Sequence, residues 1–267
     1  EMPIRVNECG PDRKLRGYIW FDYLQHIAAL HAERMGFGMT AILKHNLIWV
    51  LARLRLRIDE YPDYDDTLRI TTYPNGTEKL LAKRQFIMNS VKLGRRIGCA
   101  SSAWLVLDAA TLRPKPPCGS LDFDLNINGD REDFFPSLAK LPAVEAPECP
   151  VTHNVSASHI DMNDHLNNTY YGEYTLDWIA RRTGSLVRFR EIQINYNHAM
   201  KFGGDLVVSG RLDGSAFAVE GTDAATGSAD LSCRYLHIER EGERGGVAFS
   251  SGSCAVDEFG VRRRGPR

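Results

Sequence analysis

Hydrophobic residues recur along the chain with two different periods. Between about Trp20 and Met35, Phe21, Leu24, Ile27, Ala28 and Leu30 repeat at helical spacing, and Gly36 and Gly38 stop the pattern. The middle of this segment, Ile27-Ala28-Ala29-Leu30, is uniformly apolar, which predicts a well-buried helix. The period then shortens to two. Leu47-Ile48-Trp49-Val50-Leu51 is an apolar run, after which Leu54, Leu56 and Ile58 alternate with Arg53, Arg55 and Arg57. Thr67 to Tyr73 predicts a further strand, ended by Pro74-Asn75-Gly76. Leu80 to Val91 and Ile97 to Asp108 continue the pattern around a turn at Gly94. One long helix followed by antiparallel strands is an α+β arrangement, with the sheet packed on the helix.

Pro114, Pro116 and Pro117 open an irregular stretch that Pro136, Pro142, Pro147 and Pro150 continue, and such a run predicts a linker. The order then repeats. Asn167 to Arg182 carries Tyr171, Tyr174, Leu176, Trp178 and Ile179 at helical spacing and closes at Gly184. Strands are predicted at Glu191 to Tyr196, Leu206 to Arg211, Ala216 to Asp223, Ser228 to Glu239 and Val247 to Val256, with turns at Asp213-Gly214 and Thr226-Gly227. Leu54 to Ile58 can be laid over Ile192 to Tyr196, and the same offset puts Tyr64 over Phe202 and Leu68 over Leu206. The repeat is too long for a solenoid. It predicts a duplicated domain: residues 1–125, a proline-rich linker over 126–150, and residues 151–260, with the tail Val261 to Arg267 frayed.

Composition narrows the function classes. A chain of 267 residues with 43% hydrophobic and 25% charged residues can bury a sizeable core. A net charge of -1 argues against a nucleic-acid binder. None of the six cysteines forms a CxxC pair, so free thiols in a reducing compartment are expected. The first residues lack the apolar core of a signal peptide, and no apolar run approaches the ~20 residues of a membrane helix. A soluble, cytoplasmic protein is the expectation, with no membrane partner.

Chemistry concentrates in one segment, from Ser156 to Tyr171, just before the second helix. Asp and Asn there can serve as simple helix caps. A cap needs neither His165 nor polar residues alternating at Asp161, Asn163 and His165. Clusters of this kind favour acid-base chemistry. The helix N-terminus adds free N–H groups and partial positive charge, which polarise a carbonyl oxygen and stabilise an oxyanion. An ester or thioester carbonyl is a natural guest, with Asp161 beside it as base or nucleophile.

The run Asp161-Met162-Asn163-Asp164-His165-Leu166-Asn167-Asn168-Thr169-Tyr170-Tyr171 resembles the Asp-x-Asn-x-His-x-Asn-Asn-x-x-Tyr signature of the acyl-ACP thioesterases. Tyr23 to Ala32 with Gly36-Phe37-Gly38 resembles the family's first central helix, Trp49-Val50-Leu51 to Tyr61-Pro62 its first strands, and Ala103 to Asp108 a later strand. The resemblance covers most of the chain and implies a double hotdog, two units each wrapping an antiparallel sheet around a helix. It implies hydrolysis of acyl-acyl carrier protein to a free fatty acid, ending fatty acid synthesis, with the phosphopantetheine-linked acyl chain as substrate. Asp161, Asn163 and His165 are its catalytic candidates. Asp161 would activate water or attack the carbonyl, Asn163 would orient it through its amide, and His165 could move a proton. The amides of Leu166, Asn167 and Asn168 would polarise the carbonyl, and Tyr171 joins them as a substrate-binding candidate. The first half has Arg13-Lys14-Leu15-Arg16-Gly17-Tyr18 at the corresponding place, so one catalytic centre is implied, and the first half shapes the acyl pocket.

One departure stands out. Plant members carry a catalytic Glu three residues after a strand Tyr; the matching position here is Ala199, with His198 beside it. Glu173 and Asp177 lie on the helix instead. No cofactor is implied, and the even spacing of His153, His159 and His165 matches no known metal pattern. The Arg53-Arg55-Arg57 face is either solvated or a docking patch for the acidic carrier protein, with Arg181, Arg182, Arg188 and Arg190 as rivals. An acyl-CoA thioesterase and a non-catalytic acyl-binding protein are the alternative readings, and a homodimer is left open.

Overall fold

The computed structural model describes residues 1–120, 123–213 and 216–240, with the backbone alone at 213 and 229–240. The predicted strand at Val247 to Val256, the tail Val261 to Arg267 and Gly214 of the predicted turn lie outside these residues. The first half runs β1 (Met2–Pro3), α1 (Ile19–Arg34), a short α2 (Met39–Leu43), β2 (Leu47–Ile58), β3 (Thr67–Glu78), β4 (Leu81–Ser90), β5 (Arg95–Asp108) and β6 (Pro114–Lys115). The second runs β7 (Glu148–Asn154), α3 (Asn168–Thr183), β8 (Val187–Tyr196), β9 (Asp205–Asp213), β10 (Ala216–Asp223) and β11 (Ala229–Arg240). Among the described residues, no helix is long and apolar enough to cross a membrane.

The strands form one antiparallel sheet in the order β1-β3-β4-β5-β2-β8-β11-β10-β9-β7. Reading outward from the β2–β8 seam, each side repeats the other. At the seam Arg55 pairs with Gln193. The sequence offset noted above relates those same two residues, so a local two-fold axis passes between them. The halves therefore share one continuous sheet.

Both long helices pack on one face of this sheet. The inward residues Leu54, Leu56 and Ile58 of β2 and Ile192 and Ile194 of β8 meet Trp20 and Leu24 of α1 and Trp178 and Ile179 of α3 in one core. Each fully buried side chain of this size stabilises the fold by about 1.5–3 kcal/mol. The helices touch where Gly172 faces Phe21; a Cβ at Gly172 would fall 2.4 Å from two carbons of the Phe21 ring. Only a residue without a side chain permits that approach.

On the opposite face the proline-rich stretch lies as a strap. Phe135 and Leu138 are buried against Cys99 and Ala103. The Arg53 guanidinium donates to the Leu138 carbonyl, and Gln193 Nε2 donates to the Ala139 carbonyl at 2.7 Å. Arg55 lies 4.7 Å above the Phe135 ring and donates to Glu191 at 2.8 Å. Arg57 is exposed, 3.5 Å from Asp59. Two of the three arginines in the alternating pattern are thus engaged within the chain, so that face offers little free charge to a partner.

Three local expectations are corrected. α1 is buried along one side only: Ala29 and Leu30 face solvent, Leu30 at 40% exposure, because the sheet covers one stripe of the helix. Pro74-Asn75-Gly76 does not end β3. The register with β4 shifts between Pro74 and Thr77, and the strand continues to Glu78. A bulge absorbs the proline, which has no N–H to pair. Gly76 at φ 82 turns its own N–H to the Leu125 carbonyl at 2.8 Å. Finally, β7 lies where the pattern predicts no strand. It contains Pro150 and pairs only with β9, at the sheet edge, where a missing donor is tolerated.

Candidate active site

Residues 161–165 form a closed loop ahead of α3. The Asp161 N–H donates to the His165 carbonyl at 2.8 Å, and the Asn167 N–H to the His159 carbonyl at 2.9 Å, on either side of an Ile160–Leu166 bridge. The Asp164 N–H returns to the Asp161 carbonyl at 3.1 Å, with Asp164 at φ 60, a left-handed conformation that Asp tolerates. Asn167 caps α3: its Oδ1 accepts the Thr169 N–H at 2.9 Å, and its carbonyl accepts the Tyr170 N–H at 3.0 Å. The chain leaving β8 is tied on from behind. The Met200 carbonyl accepts the Leu166 N–H at 2.8 Å, and the Met200 N–H donates to the Tyr171 hydroxyl at 3.0 Å.

The three catalytic candidates share this loop. Asp161 and His165 are half-buried and Asn163 is exposed. The Asp161 carboxylate accepts the backbone N–H of Asn163 at 2.8 Å, so that residue holds Asp161 through its main chain. The other candidates differ from expectation in detail. The Leu166 and Asn167 amides are engaged with carbonyls, as above. Asn168 Nδ2 donates to Gln25 Oε1 at 3.1 Å, linking α3 to α1, and its own amide has no acceptor among the described residues. Tyr171 is 2% exposed, and its hydroxyl works on the segment after β8. Hydrogen bonds of Leu166, Asn167 and Tyr171 therefore shape the loop, and of the three candidate amides that of Asn168 is left without an acceptor among the described residues.

Ala199 and His198 are exposed just past β8. Glu173 and Asp177 are held above the usual carboxylate range, Glu173 by burial and then the Asp177 charge, Asp177 by burial alone against the pull of His153 and Arg181. His153 and His159 meet α3 through tyrosines. The His153 ring stacks on Tyr174 at 4.2 Å, the His159 ring lies 4.3 Å from that of Tyr170, and His159 Nδ1 is 2.8 Å from the Tyr174 hydroxyl. Among the described residues, no three His, Cys, Asp or Glu side chains are grouped to hold a metal.

Pattern reading missed a second loop of the same build. In the first half, Cys9 and Leu15 form the bridge, the Gly10 N–H donates to the Lys14 carbonyl at 2.9 Å, and the Arg16 N–H to the Glu8 carbonyl at 2.9 Å. The Leu15 N–H reaches the Pro62 carbonyl at 3.0 Å, and Arg13 takes the left-handed position at φ 65. Gly10, Asp12 and Lys14 thus stand where Asp161, Asn163 and His165 stand in the second half. The backbone is repeated without the polar side chains at 161, 163 and 165, so the one readable signal was the Leu shared by the two bridges, Leu15 and Leu166. A polar cavity of about 290 Å³ lies beside this first loop, lined by Asp12, Arg13, Asp63, Tyr64, Asp65 and Lys92. Gly10 stands in this loop at the place of Asp161.

Known proteins agree with this duplicated arrangement. The profile of the acyl-ACP thioesterase N-terminal domain matches residues 1–116, and that of the C-terminal domain matches residues 148–245. The chloroplastic palmitoyl-acyl carrier protein thioesterase of Arabidopsis thaliana is 25% identical over 273 residues, covering 93% of this chain and 62% of that protein. The chloroplastic oleoyl-acyl carrier protein thioesterase 2 of the same plant is 26% identical over 270 residues, covering 91% of this chain and 72% of that protein. This chain thus spans somewhat less than two thirds of the first relative. In three dimensions an acyl-ACP thioesterase from Bacteroides thetaiotaomicron superposes with a TM-score of 0.74 at 24% identity, covering 89% of this chain and 96% of that one. The 12:0-ACP thioesterase from Umbellularia californica gives 0.72 at 20% identity, over 90% and 96%. Two domain profiles matched in order over most of the sequence, on a double-hotdog fold, establish that the chain belongs to the acyl-ACP thioesterase family.

Proposed function

We propose that this chain hydrolyses fatty acyl-acyl carrier protein to a free fatty acid and holo-carrier protein, with Asp161 at the reacting carbon. The reading rests on one observation: a closed loop sets a carboxylate just ahead of the N-terminus of α3. The thioester oxygen would take the Asn168 N–H and the positive end of the helix, which offset the charge that builds as water adds. Asp161 takes the proton of that water, or attacks the carbonyl itself to give an acyl-aspartyl anhydride that water opens once the thiol has left. The C–S bond then breaks, and the phosphopantetheine thiolate leaves with a proton that His165 can supply. Asn163 holds Asp161 in place through its backbone amide.

Steady-state kinetics on acyl carrier proteins and acyl-CoAs of several chain lengths test this reading. Replacing Asp161 by Ala or Asn should abolish turnover while the far-UV spectrum and urea midpoint stay at parental values. Parental turnover in either variant would remove Asp161 from the mechanism. A clear preference for CoA donors would overturn the carrier-protein substrate. A single turnover in heavy-oxygen water tests the nucleophilic role, because label in the Asp161 carboxylate requires its attack on the carbonyl and opening of the anhydride at the aspartyl carbon.

A second reading, an acyl-binding protein without turnover, is favoured by Ala199 standing where plant members carry Glu. Product release from any donor by the parent protein eliminates it. We place the enzyme in the cytoplasm, whereas the plant relatives are named chloroplastic. The paired halves supply both hotdog units within one chain; sedimentation with and without carrier protein tests whether a homodimer forms.

A further inference from the structure

The two loops are braced alike by unlike side chains. In the first half the Glu8 carboxylate accepts the Arg5 N–H at 2.8 Å and bonds the Tyr23 hydroxyl of α1. In the second, His159 Nδ1 accepts the Ser156 N–H at 3.4 Å and lies 2.8 Å from the Tyr174 hydroxyl of α3. Each brace spans 15 residues between its acceptor and its tyrosine. Each acceptor residue also gives its carbonyl to the residue that closes the loop, Arg16 or Asn167. The Ser156 amide can only donate, so His159 Nδ1 is the acceptor of that long contact, and its single in-plane lone pair is shared with the Tyr174 hydroxyl. Burial, with the charges of Glu173, Tyr170 and Asp177 behind it, pushes that hydroxyl up to about 12, so it keeps its proton.

We propose that His159 is a positioning residue of the active site: its ring, tied to Tyr174 and the Ser156 amide, fixes the point from which the Asp161 loop departs. This rests on the assignment of Asp161 proposed above. His159 lies two residues before Asp161 and is pinned on both sides, ring to the body of α3 and carbonyl to the capping residue Asn167. A shift of His159 carries Asp161 away from the helix end, and a misplacement of about 1 Å can cost 10²-fold in rate. The first half holds the same geometry with a carboxylate, paired to the Arg5 guanidinium, around a loop that has Gly10 in the place of Asp161. What the position requires is therefore an acceptor that bridges an amide and a tyrosine, and imidazole chemistry is not needed.

The fold supplies its own rescue experiment. His159→Ala should lower kcat at least tenfold on an acyl-carrier-protein substrate, with KM within about threefold of the parent. His159→Glu combined with Ser156→Arg copies the first-half brace, in which Glu8 also takes the Arg5 guanidinium, and should recover most of that kcat. Tyr174→Phe leaves the ring in place but removes the donor, and should lower kcat severalfold; it carries the test if His159→Ala fails to fold. Parental kcat in both His159→Ala and Tyr174→Phe would overturn the proposal. So would a folded His159→Glu, Ser156→Arg double variant as inactive as the alanine variant, since the imidazole would then act by itself. Asp161→Asn, measured alongside, separates the two failures. If it stays active, the site assignment is wrong; if it is inactive while His159→Ala is not, only the brace is.

Discussion

Gly172 is the point where the packing of the two halves can be tested most directly. Alanine in a helix interior is better than glycine by about 0.8–1.0 kcal/mol, so propensity alone predicts that Gly172→Ala stabilises the protein. The structure predicts the opposite. The new Cβ would stand 2.4 Å from two carbons of Phe21, where carbon atoms normally rest at about 3.5–4.0 Å, so the ring must withdraw by roughly 1 Å. Phe21 is 2% exposed, and its ring stacks on Phe189 at 6.2 Å, which leaves no open space to withdraw into. Overpacking of this kind costs about 1–3 kcal/mol. The strain outweighs the propensity gain, and a net loss of up to about 2 kcal/mol is expected. Urea denaturation should show a lower midpoint at unchanged slope. The same substitution on a Phe21→Ala background meets no ring and should become neutral or stabilising, giving a coupling of about 2 kcal/mol between the sites. A Gly172→Ala variant more stable than the parent, or an effect equal on both backgrounds, would refute the claim that this contact sets the helix spacing.

Two further outcomes follow from the same geometry. Asn167→Ala removes the side-chain acceptor for the Thr169 N–H and should cost about 1 kcal/mol by urea denaturation, with a fall in kcat because the cap also ends the catalytic loop. Glu173 is raised by burial, then by the Asp177 charge, so its neutral form suits the folded state better than its ionised form. Its contribution is present below the ordinary carboxyl value and is lost as pH rises through the folded value. Glu173→Gln should flatten the part of a melting-temperature profile that lies on the rising-pH side of the ordinary carboxyl value; an unchanged slope would mean that burial of Glu173 has no energetic consequence.

Several features were legible in the sequence because they are local. The helical spacing from Phe21 to Leu30 and from Tyr171 to Ile179 placed both long helices, and period-two alternation at Leu54, Leu56 and Ile58 identified a face that the core covers. Asp161, Asn163 and His165 could be singled out as candidates because their order lies within one short loop. Tertiary structure decided what depends on partners distant in sequence. Pro74-Asn75-Gly76 reads as a strand end until β4 and the Leu125 carbonyl supply bonds that carry the strand past it. The arginines of β2 read as a free charged face until residues 134–139 close over them. Leu166 and Asn167 read as amides for a substrate until Met200 and His159 take their hydrogens. Periodicity and short motifs report what a residue prefers. Which carbonyl its N–H meets, and which ring its Cα touches, is fixed only when strands and helices distant along the chain are brought within about 3 Å of one another.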